Sequence, residues 1–172
     1  MSAAVDTLSP TKRVLLIASN PAISEQTGWP IGFWWAELTP PYWEFIERGY
    51  EVTIASPDGG ELVPDSFSDP EDESGYSAHD LISLGFKRSP SHAALVQNTE
   101  RLADLDLDAF DAVFVAGGQA PMYTFRSHPG VHAAVAHFFE AGKPTALVCH
   151  ATCVLLTATT SDGTLIVDGK TW

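Results

Sequence analysis

The sequence of 172 residues is poor in basic side chains and in cysteine. Nine Lys and Arg residues stand against 22 Asp and Glu residues, so the formal net charge at pH 7 is −13. A chain this acidic has no basic surface for DNA or RNA, and an anionic membrane surface repels it. Its two cysteines are too few for a disulfide framework.

Long apolar segments are also missing. No apolar run approaches the roughly 18 residues of a membrane helix. The first ten residues, which we interpret as a loose leader, contain no apolar signal core. Hydrophobic residues nevertheless make up 45% of the chain and charged residues 18%, which predicts a buried core. We therefore expect an acidic globular protein of the cytoplasm with neither a membrane nor a nucleic-acid partner.

Apolar strand-like segments alternate with helical ones along the chain. Continuous apolar runs predict buried strands at residues 14–19, 51–57, 112–118, 145–149 and, as a fifth, 164–169. Helical patterns cover residues 33–48 (interrupted at Pro40-Pro41), 77–105 (broken near Ser89-Pro90), 129–141 and 151–157. This alternation predicts an α/β fold with helices on both faces of a parallel sheet. We expect a three-layer α/β/α sandwich, formed as a single domain by residues 11–172.

The chain stops directly after the fifth strand-like run. Lys170, Thr171 and Trp172 follow that run with no closing helix. Such an ending is typical of a fragment or a processed chain, so a C-terminal truncation is one expectation.

Two groups of potential metal ligands lack a complete ligand set. Residues 64–76 are acidic, but their spacing matches no EF-hand loop, so we predict a solvated surface loop. His128 and His132 lie four residues apart near His137, yet no carboxylate or cysteine completes a site beside them. We therefore predict a surface helix there and no bound metal.

Cys149 is the strongest candidate for chemistry. It ends an apolar strand and precedes a helical segment, which is the geometry of a nucleophile elbow at the carboxyl edge of a sheet. The start of the next helix is expected to lower the pKa of a thiol there. At a pKa near 6 instead of about 8.5, the thiolate fraction at pH 7 rises from roughly 3% to roughly 90%. The alternative is a buried, inert cysteine at a strand end.

Two further residues adjoin this elbow. His150 is placed to act as a general acid or base, although adjacent side chains need not face each other. A solvent-facing or capping histidine is the alternative. Cys153 lies four residues after Cys149, a poor separation for a disulfide within one helix, so we expect a small core residue.

Two more loops are expected at the same edge of the sheet. Glu37 lies among aromatic residues, and a carboxyl group in such a pocket has a raised pKa and exchanges protons readily. The alternative is a surface glutamate on a helix edge. Gly117 and Gly118 do not form a phosphate-loop pattern. They permit close backbone approach and an oxyanion-binding N–H, with a plain turn as the alternative.

Taken together and in their order along the chain, these segments resemble those of a known superfamily. Three segments resemble the signature, the Gly-Gly loop and the Cys-His elbow of the ThiJ/PfpI superfamily: TGWPIGFWWAELTPPYWEFIERGYEVTIASPDGG, AVFVAGGQAPMYTFR and GKPTALVCHATCVLL. The resemblance runs from about Lys12 to Trp172 and points to the branch of heat-shock chaperone and glyoxalase III proteins. It implies the flavodoxin-like fold of class I glutamine amidotransferases and a homodimer.

The resemblance also implies roles for the matching positions. Cys149 matches the reactive elbow cysteine, and His150 matches the histidine beside it. Glu37 matches the acidic residue that contacts the nucleophile. Gly118 and the backbone of His150 match the oxyanion positions.

The substrate-binding positions depart from the family pattern at two places. Gly117, Gln119 and Ala151 complete the expected oxyanion and substrate-binding set. Gln119-Ala120 stand where the family commonly has His-Gly, and Ala151-Thr152 stand where it often has Gly-Pro. Both differences touch the expected pocket, which leaves the identity of the substrate open.

The leading hypothesis from the sequence is a cysteine enzyme that needs no cofactor. The Cys149 thiolate attacks the aldehyde carbon of a 2-oxoaldehyde such as methylglyoxal, and His150 and Glu37 move protons. Water then releases a 2-hydroxy acid. A hydrolase or hydratase acting on an amide, an ester or an isonitrile uses the same residues. No histidine follows His150, so the chain as given cannot supply the downstream His–Glu pair of a glutamine amidotransferase.

A non-enzymatic alternative is a stress chaperone or a redox sensor. In that case Cys149 is oxidised, and the aromatic cluster near Trp34 and Trp35 offers an apolar surface to unfolded proteins.

Overall fold

A computed structural model describes residues 11–171 of the chain. The strands are β1 Arg13–Ile17, β2 Ala22–Ile23, β3 Pro30–Ile31, β4 Glu51–Ser56, β5 Glu100–Arg101, β6 Ala112–Val115 and β7 Thr145–Leu147. The α-helices are α1 Trp35–Glu47, α2 Leu81–Arg88, α3 Pro90–Gln97, α4 Pro121–Thr124 and α5 Pro129–Glu140. Short 3-10 helices span Ser66–Ser68, Leu102–Asp104, Leu107–Ala109 and Cys149–Leu156. The predicted leader at residues 1–10 lies outside the described residues.

Five of these strands form one parallel sheet in the order β5-β4-β1-β6-β7. The most apolar strand, β1, lies at its centre, where Leu16 pairs with Ile54 on one side and with Phe114 on the other. A parallel sheet needs cover on both faces, and this explains why its strands read as continuous apolar runs. The short strands β2 and β3 pair separately as an antiparallel hairpin.

Helices cover both faces of the sheet, as predicted. Because successive side chains of a strand point to opposite faces, Leu15 and Ile17 pack in one apolar cluster and Leu16 packs in another. The first cluster includes Val135 of α5, and the second includes Leu38 of α1. The three-layer α/β/α sandwich is therefore confirmed.

Helix α1 runs without interruption through Pro40 and Pro41, against the interruption that these prolines predict. Each proline removes one N–H from the helical hydrogen-bond ladder. Trp35, Leu38 and Tyr42 of this helix are buried against the sheet and α2. Burial of this apolar face keeps the segment helical despite the missing hydrogen bonds.

The break near Ser89-Pro90 is confirmed, because α2 ends at Arg88 and α3 begins at Pro90. Asp80 caps the start of α2 by accepting a hydrogen bond from the Ser83 amide at 3.0 Å. In residues 11–171, no helix combines the length and the apolar character needed to cross a membrane.

The fifth strand of the sheet is not the one that the sequence predicts. Residues 164–169 form turns, with a single bridge between Thr159 and Leu165. The fifth position is filled by β5, which pairs with the end of β4 at the opposite edge of the sheet. Its two residues, Glu100 and Arg101, are both exposed. They lie in the segment 77–105, for which the sequence predicts a helix. A strand this short and polar carries no periodic signal.

Candidate active site

Cys149 lies on a sharp turn between β7 and the 3-10 helix Cys149–Leu156. Its φ of +53° is the only positive value for a non-glycine residue in the described part of the chain. Such a conformation is strained and recurs where a nucleophile is presented at the end of a strand. The Ala151 amide closes the turn onto the Val148 carbonyl at 3.1 Å, and the buried Ala151 side chain packs in the core. The strand-turn-helix arrangement predicted at Cys149 is present.

Glu37 belongs to the first turn of α1, and its side chain lies beside Cys149. One carboxylate oxygen, Oε2, accepts a hydrogen bond from the Gly117 amide at 2.9 Å. The Cys149 thiol lies close enough to the carboxyl group to affect its pKa. Burial raises the pKa of Glu37, and the Cys149 thiol and the Gly117 amide oppose that rise. The predicted direction of the Glu37 pKa shift is present, and its cause is burial at the meeting point of α1, β6 and β7.

The pKa of the Cys149 thiol is raised, against the lowered pKa predicted from its position before a helix. Partial desolvation of the thiol is the largest cause, although the residue as a whole is exposed. The neighbouring Glu37 carboxyl group acts in the same direction, whereas the amides of Gly118 and His150 lower the pKa. The resting thiol therefore keeps its proton at neutral pH, and an attack by the sulfur needs a base.

The His150 ring is anchored beside the thiol. Its Nδ1 lies 2.9 Å from the Gly118 carbonyl oxygen and 3.6 Å from the Cys149 Sγ. A carbonyl only accepts, so Nδ1 carries a proton and donates it to Gly118. The lone pair of the neutral ring is then on Nε2, so His150 does not take the thiol proton through Nδ1 in this arrangement.

The Gly117-Gly118 loop fits between Glu37 and the elbow because it has no side chains. A Cβ at Gly117 would lie 2.5 Å from Glu37 Oε2 and 2.7 Å from the Cβ of Cys149. Gly118 has a φ of +110°, and a Cβ there would contact the backbone of Gly32 and Phe33. Only glycine permits this close approach at both positions.

Asp65 is a site residue that the sequence does not reveal. Its Oδ1 accepts from the Gly32 amide at 3.0 Å and its Oδ2 accepts from the Gln119 amide at 2.7 Å. The side chain is only 3% exposed, and burial raises its pKa. Asp65 thus joins the loop before α1 to the Gly-Gly loop, and it lies close enough for the charge of His150 to affect its pKa.

The prediction that residues 64–76 form a solvated surface loop is therefore wrong at Asp65 and Ser68, which are both buried. Phe67 and Tyr76 of the same segment are exposed, as a surface loop predicts. Nothing in the local sequence separates Asp65 from the four other acidic residues of this segment.

The other singled-out residues lie away from the elbow or in the core. Cys153 is buried, with its Sγ 3.3 Å from the Pro121 carbonyl oxygen, as expected for a small core residue. His128 caps α5 by accepting from the Val131 amide at 3.3 Å, and His132 Nε2 lies 3.0 Å from the Phe125 carbonyl oxygen. In residues 11–171 no three His, Cys, Asp or Glu side chains are grouped as metal ligands.

A cavity of about 350 Å³ opens beside the elbow. It is lined mainly by polar side chains: Glu25, Gln26, Gln119, Tyr123, Arg126 and His150. Trp35 is not part of this cavity, because it packs edge-on against Phe33 at 4.8 Å in the core. The cavity is therefore suited to a small polar ligand that reaches the thiol past His150.

Comparisons with curated proteins find relatives that are named as glyoxalases and deglycases. The "probable glutathione-independent glyoxalase hsp3103" of Schizosaccharomyces pombe is 28% identical over 81% of this chain and 61% of its own length. "Deglycase PfpI" of Pyrococcus furiosus is 30% identical over 71% of this chain and 57% of its own length. The chain thus spans about three fifths of the length of these two relatives.

Solved structures show the same fold. The 24 kDa rapid encystment protein of Francisella tularensis has a TM-score of 0.82 at 23% identity, covering 93% of this chain and 68% of that one. Glyoxalase III from Candida albicans has a TM-score of 0.74 at 20% identity, covering 92% and 65%. Residues 32–166 match the DJ-1/PfpI family. The chain therefore belongs to the DJ-1/PfpI family.

Proposed function

We propose that the protein is a cysteine enzyme that converts a 2-oxoaldehyde such as methylglyoxal into a 2-hydroxy acid. The observation that carries the proposal is the placement of the Glu37 carboxyl group, held by the Gly117 amide, beside Cys149 at a strained elbow. Two backbone amides, those of Gly118 and His150, approach the sulfur. A nucleophile, a base and oxyanion donors are what this reaction requires. The curated relatives named as glyoxalases support the choice of substrate.

The first step is addition of the thiol to the aldehyde. Glu37 takes the thiol proton as Sγ of Cys149 bonds to the aldehyde carbon, and the carbonyl oxygen becomes an alkoxide. A base with a raised pKa suits this transfer, because it holds the proton firmly while the carbon–sulfur bond forms. The amides of Gly118 and His150, which approach the sulfur, are the donors for the developing oxyanion. Protonation of that oxygen by Glu37 completes a hemithioacetal.

The second step moves a proton between the two carbons. Glu37, again ionised, removes the C–H proton of the hemithioacetal carbon, and the neighbouring ketone oxygen gains a proton, which gives an enediol. The unprotonated Nε2 of His150 is the second group that can relay these protons. A proton then returns to the former ketone carbon, and the hydroxyl group on the sulfur-bearing carbon loses its proton, which gives a thioester of the 2-hydroxy acid. Water then hydrolyses the thioester and restores the thiol, so one carbon is oxidised, its neighbour is reduced, and no external oxidant is used.

The experiment that tests this proposal measures lactate from methylglyoxal without glutathione or added metal. We expect lactate from the wild type and a loss of at least about a thousandfold in Cys149→Ala, because the nucleophile is removed. Cys153→Ala is the matched control, since Cys153 is a buried cysteine that does not face the site, and it should retain lactate formation. Absence of lactate from the folded wild type, or equal lactate from Cys149→Ala, would contradict the proposal.

Relatives named as deglycases favour a second candidate substrate on the same site. Cys149 is exposed, so an adduct of a 2-oxoaldehyde on another molecule can also reach it. The two candidate substrates, the free aldehyde and its adduct, can be distinguished experimentally. Adducts of methylglyoxal with N-acetylcysteine are supplied in place of the free aldehyde. Lactate formed faster than the adduct dissociates spontaneously would indicate direct attack on the adduct. Lactate limited by that dissociation would indicate that the free aldehyde is the substrate.

A further inference from the structure

Arg126 occupies the wall of the cavity beside the elbow, on the same face as His150. Its backbone is fixed at two points, because its amide donates to the Pro121 carbonyl at 3.2 Å and its carbonyl accepts from Thr157 Oγ1 at 3.2 Å. The preceding residue, Phe125, is fully buried and anchors the segment in the core. The guanidinium is close enough to Cys153, one helical turn beyond Cys149, for its charge to lower the pKa of that thiol.

The guanidinium of Arg126 has no protein partner within residues 11–171. The chain has five arginines, and the other four each lie within 4 Å of a carboxylate: Arg13, Arg48, Arg88 and Arg101. Arg126 is exposed, so its guanidinium is open to a ligand from the cavity that it lines. Arginine is the side chain best suited to bind a carboxylate through two parallel hydrogen bonds.

The other polar groups of the cavity are mostly neutral. Tyr123 contacts Gln26 through its hydroxyl group, so the loop that carries Gln26 is held over the cavity. One carboxylate, that of Glu25, also lines the cavity, and in the described part of the chain it forms no ion pair with Arg126. One positive and one negative side chain suit a ligand with a single negative charge better than a phosphate dianion.

We propose that Arg126 binds a carboxylate on the electrophile that Cys149 attacks, so that the preferred substrates are 2-oxoaldehydes that carry one carboxylate. This inference rests on the proposed function and narrows its substrate class. The reacting aldehyde lies at Cys149 and the carboxylate lies at Arg126. His150, whose Nδ1 is 3.6 Å from the Cys149 Sγ, lines the same cavity as Arg126. Gln119 also lines this cavity and supplies an amide for a ligand oxygen.

The test compares two substrates with the same five-carbon chain. One is 4,5-dioxopentanoate, which carries the carboxylate and gives 2-hydroxyglutarate. The other is 2-oxopentanal, which is uncharged and gives 2-hydroxypentanoate. We expect kcat/KM to be at least about tenfold higher for the charged substrate, because a charge-assisted pair with arginine contributes at least that much.

Substitutions identify the residue responsible for the preference. Arg126→Met should bring the ratio of the two kcat/KM values close to one, and Arg126→Lys should retain part of the preference. Arg48→Met removes the same charge near the amino end of β4, opposite the active site, and should leave the ratio unchanged. Glu25→Gln should raise the ratio, since it removes a repelling charge. Equal ratios in wild type and Arg126→Met would overturn the inference.

A binding measurement separates this inference from the proposed reaction. Cys149→Ala cannot turn over either substrate, so calorimetry on this variant can compare binding of 4,5-dioxopentanoate, which has one carboxylate, with binding of uncharged 2-oxopentanal. We expect at least about tenfold tighter binding of 4,5-dioxopentanoate, and loss of that difference in Cys149→Ala/Arg126→Met. If the wild type turns over neither substrate but this difference is present, the reaction is wrong and the carboxylate site stands. Equal binding of the two substrates would overturn the carboxylate site.

Discussion

The Glu37 carboxyl group lies beside the Cys149 thiol, and each changes the pKa of the other. Burial raises both pKa values; the carboxyl group raises the pKa of the thiol further, whereas the thiol lowers the pKa of the carboxyl group. The thiol therefore keeps its proton at neutral pH. In the proposed reaction it becomes a nucleophile when that proton passes to Glu37, so its activation depends on the carboxyl group rather than on a helix.

Replacing Glu37 by glutamine should change alkylation and turnover in opposite directions. Without the carboxylate charge the pKa of the Cys149 thiol falls, so the thiolate fraction at pH 8 grows and alkylation by iodoacetamide becomes faster. Turnover of methylglyoxal should fall by about a hundredfold or more, because the base is lost. Mass spectrometry of the Cys149 peptide and a lactate assay measure the two effects. Glu44→Gln, an exposed change on the same helix, is the control, and slower alkylation in Glu37→Gln would contradict this account.

The pH dependence of kcat/KM should report the ionisation of Glu37. The base must be ionised to accept the thiol proton, and burial raises its pKa above the ordinary value of 4.5. Activity should therefore increase with pH along an acidic limb whose midpoint lies above 4.5. Lactate formation measured from about pH 4.5 to about pH 8 locates that limb. A profile without an acidic limb would exclude Glu37 as the base.

Gly117→Ala should abolish turnover, because its new Cβ would displace either Glu37 or Cys149. Overpacking of this kind costs about 1–3 kcal/mol in the free energy of unfolding. Gly85→Ala is the matched control: Gly85 lies inside α2, a Cβ added there would meet no atom within 4 Å, and alanine should raise stability by about 0.5–1 kcal/mol. Urea unfolding measures the free energy of unfolding of each variant, and the lactate assay measures its turnover. Full activity in Gly117→Ala would show that the close approach is not required.

Asp65→Asn should destabilise the protein by about 1–3 kcal/mol, because an amide nitrogen then faces one of the two backbone N–H groups. Burial raises the pKa of Asp65 in the folded state. The contribution of Asp65 to the free energy of unfolding of the wild type therefore falls as the pH rises from about 3.8 through the folded pKa. The penalty of the substitution should therefore be larger at about pH 4 than at about pH 7 in urea unfolding. Glu73→Gln, exposed in the same segment, should have almost no effect. A penalty that grows with pH would contradict this assignment.

The three inner strands of the sheet can be predicted well from the sequence because they are largely buried. The runs around Leu16 and Val113 have no polar interruption, and the run around Ile54 has only Thr53, so each is recognisable alone. The edge strand at Glu100 and Arg101 is not recognisable, because two exposed polar residues carry no pattern. The strand-like run at residues 164–169 fails for the converse reason: it is apolar, but no neighbouring strand pairs with it in the described chain.

The candidate site can be predicted only in part from the sequence. Cys149 and Glu37 stand out by motif, and the structure brings their side chains together. The role of Asp65 depends on hydrogen bonds to residues 33 and 54 positions away, which no local pattern encodes. The direction of the thiol pKa shift likewise depends on which groups cover the sulfur in space.

The two prolines of α1 influence which positions of this helix tolerate substitution. Because Pro40 and Pro41 have no N–H, the carbonyls of Ala36 and Glu37 have no amide four residues ahead to accept from. The turn that carries the base is thus attached to the rest of its helix by fewer hydrogen bonds than an ordinary turn. Its position is set by neighbours across the core, so substitutions at the exposed positions Glu44 and Glu47, near the far end of the helix, should leave the carboxylate in place.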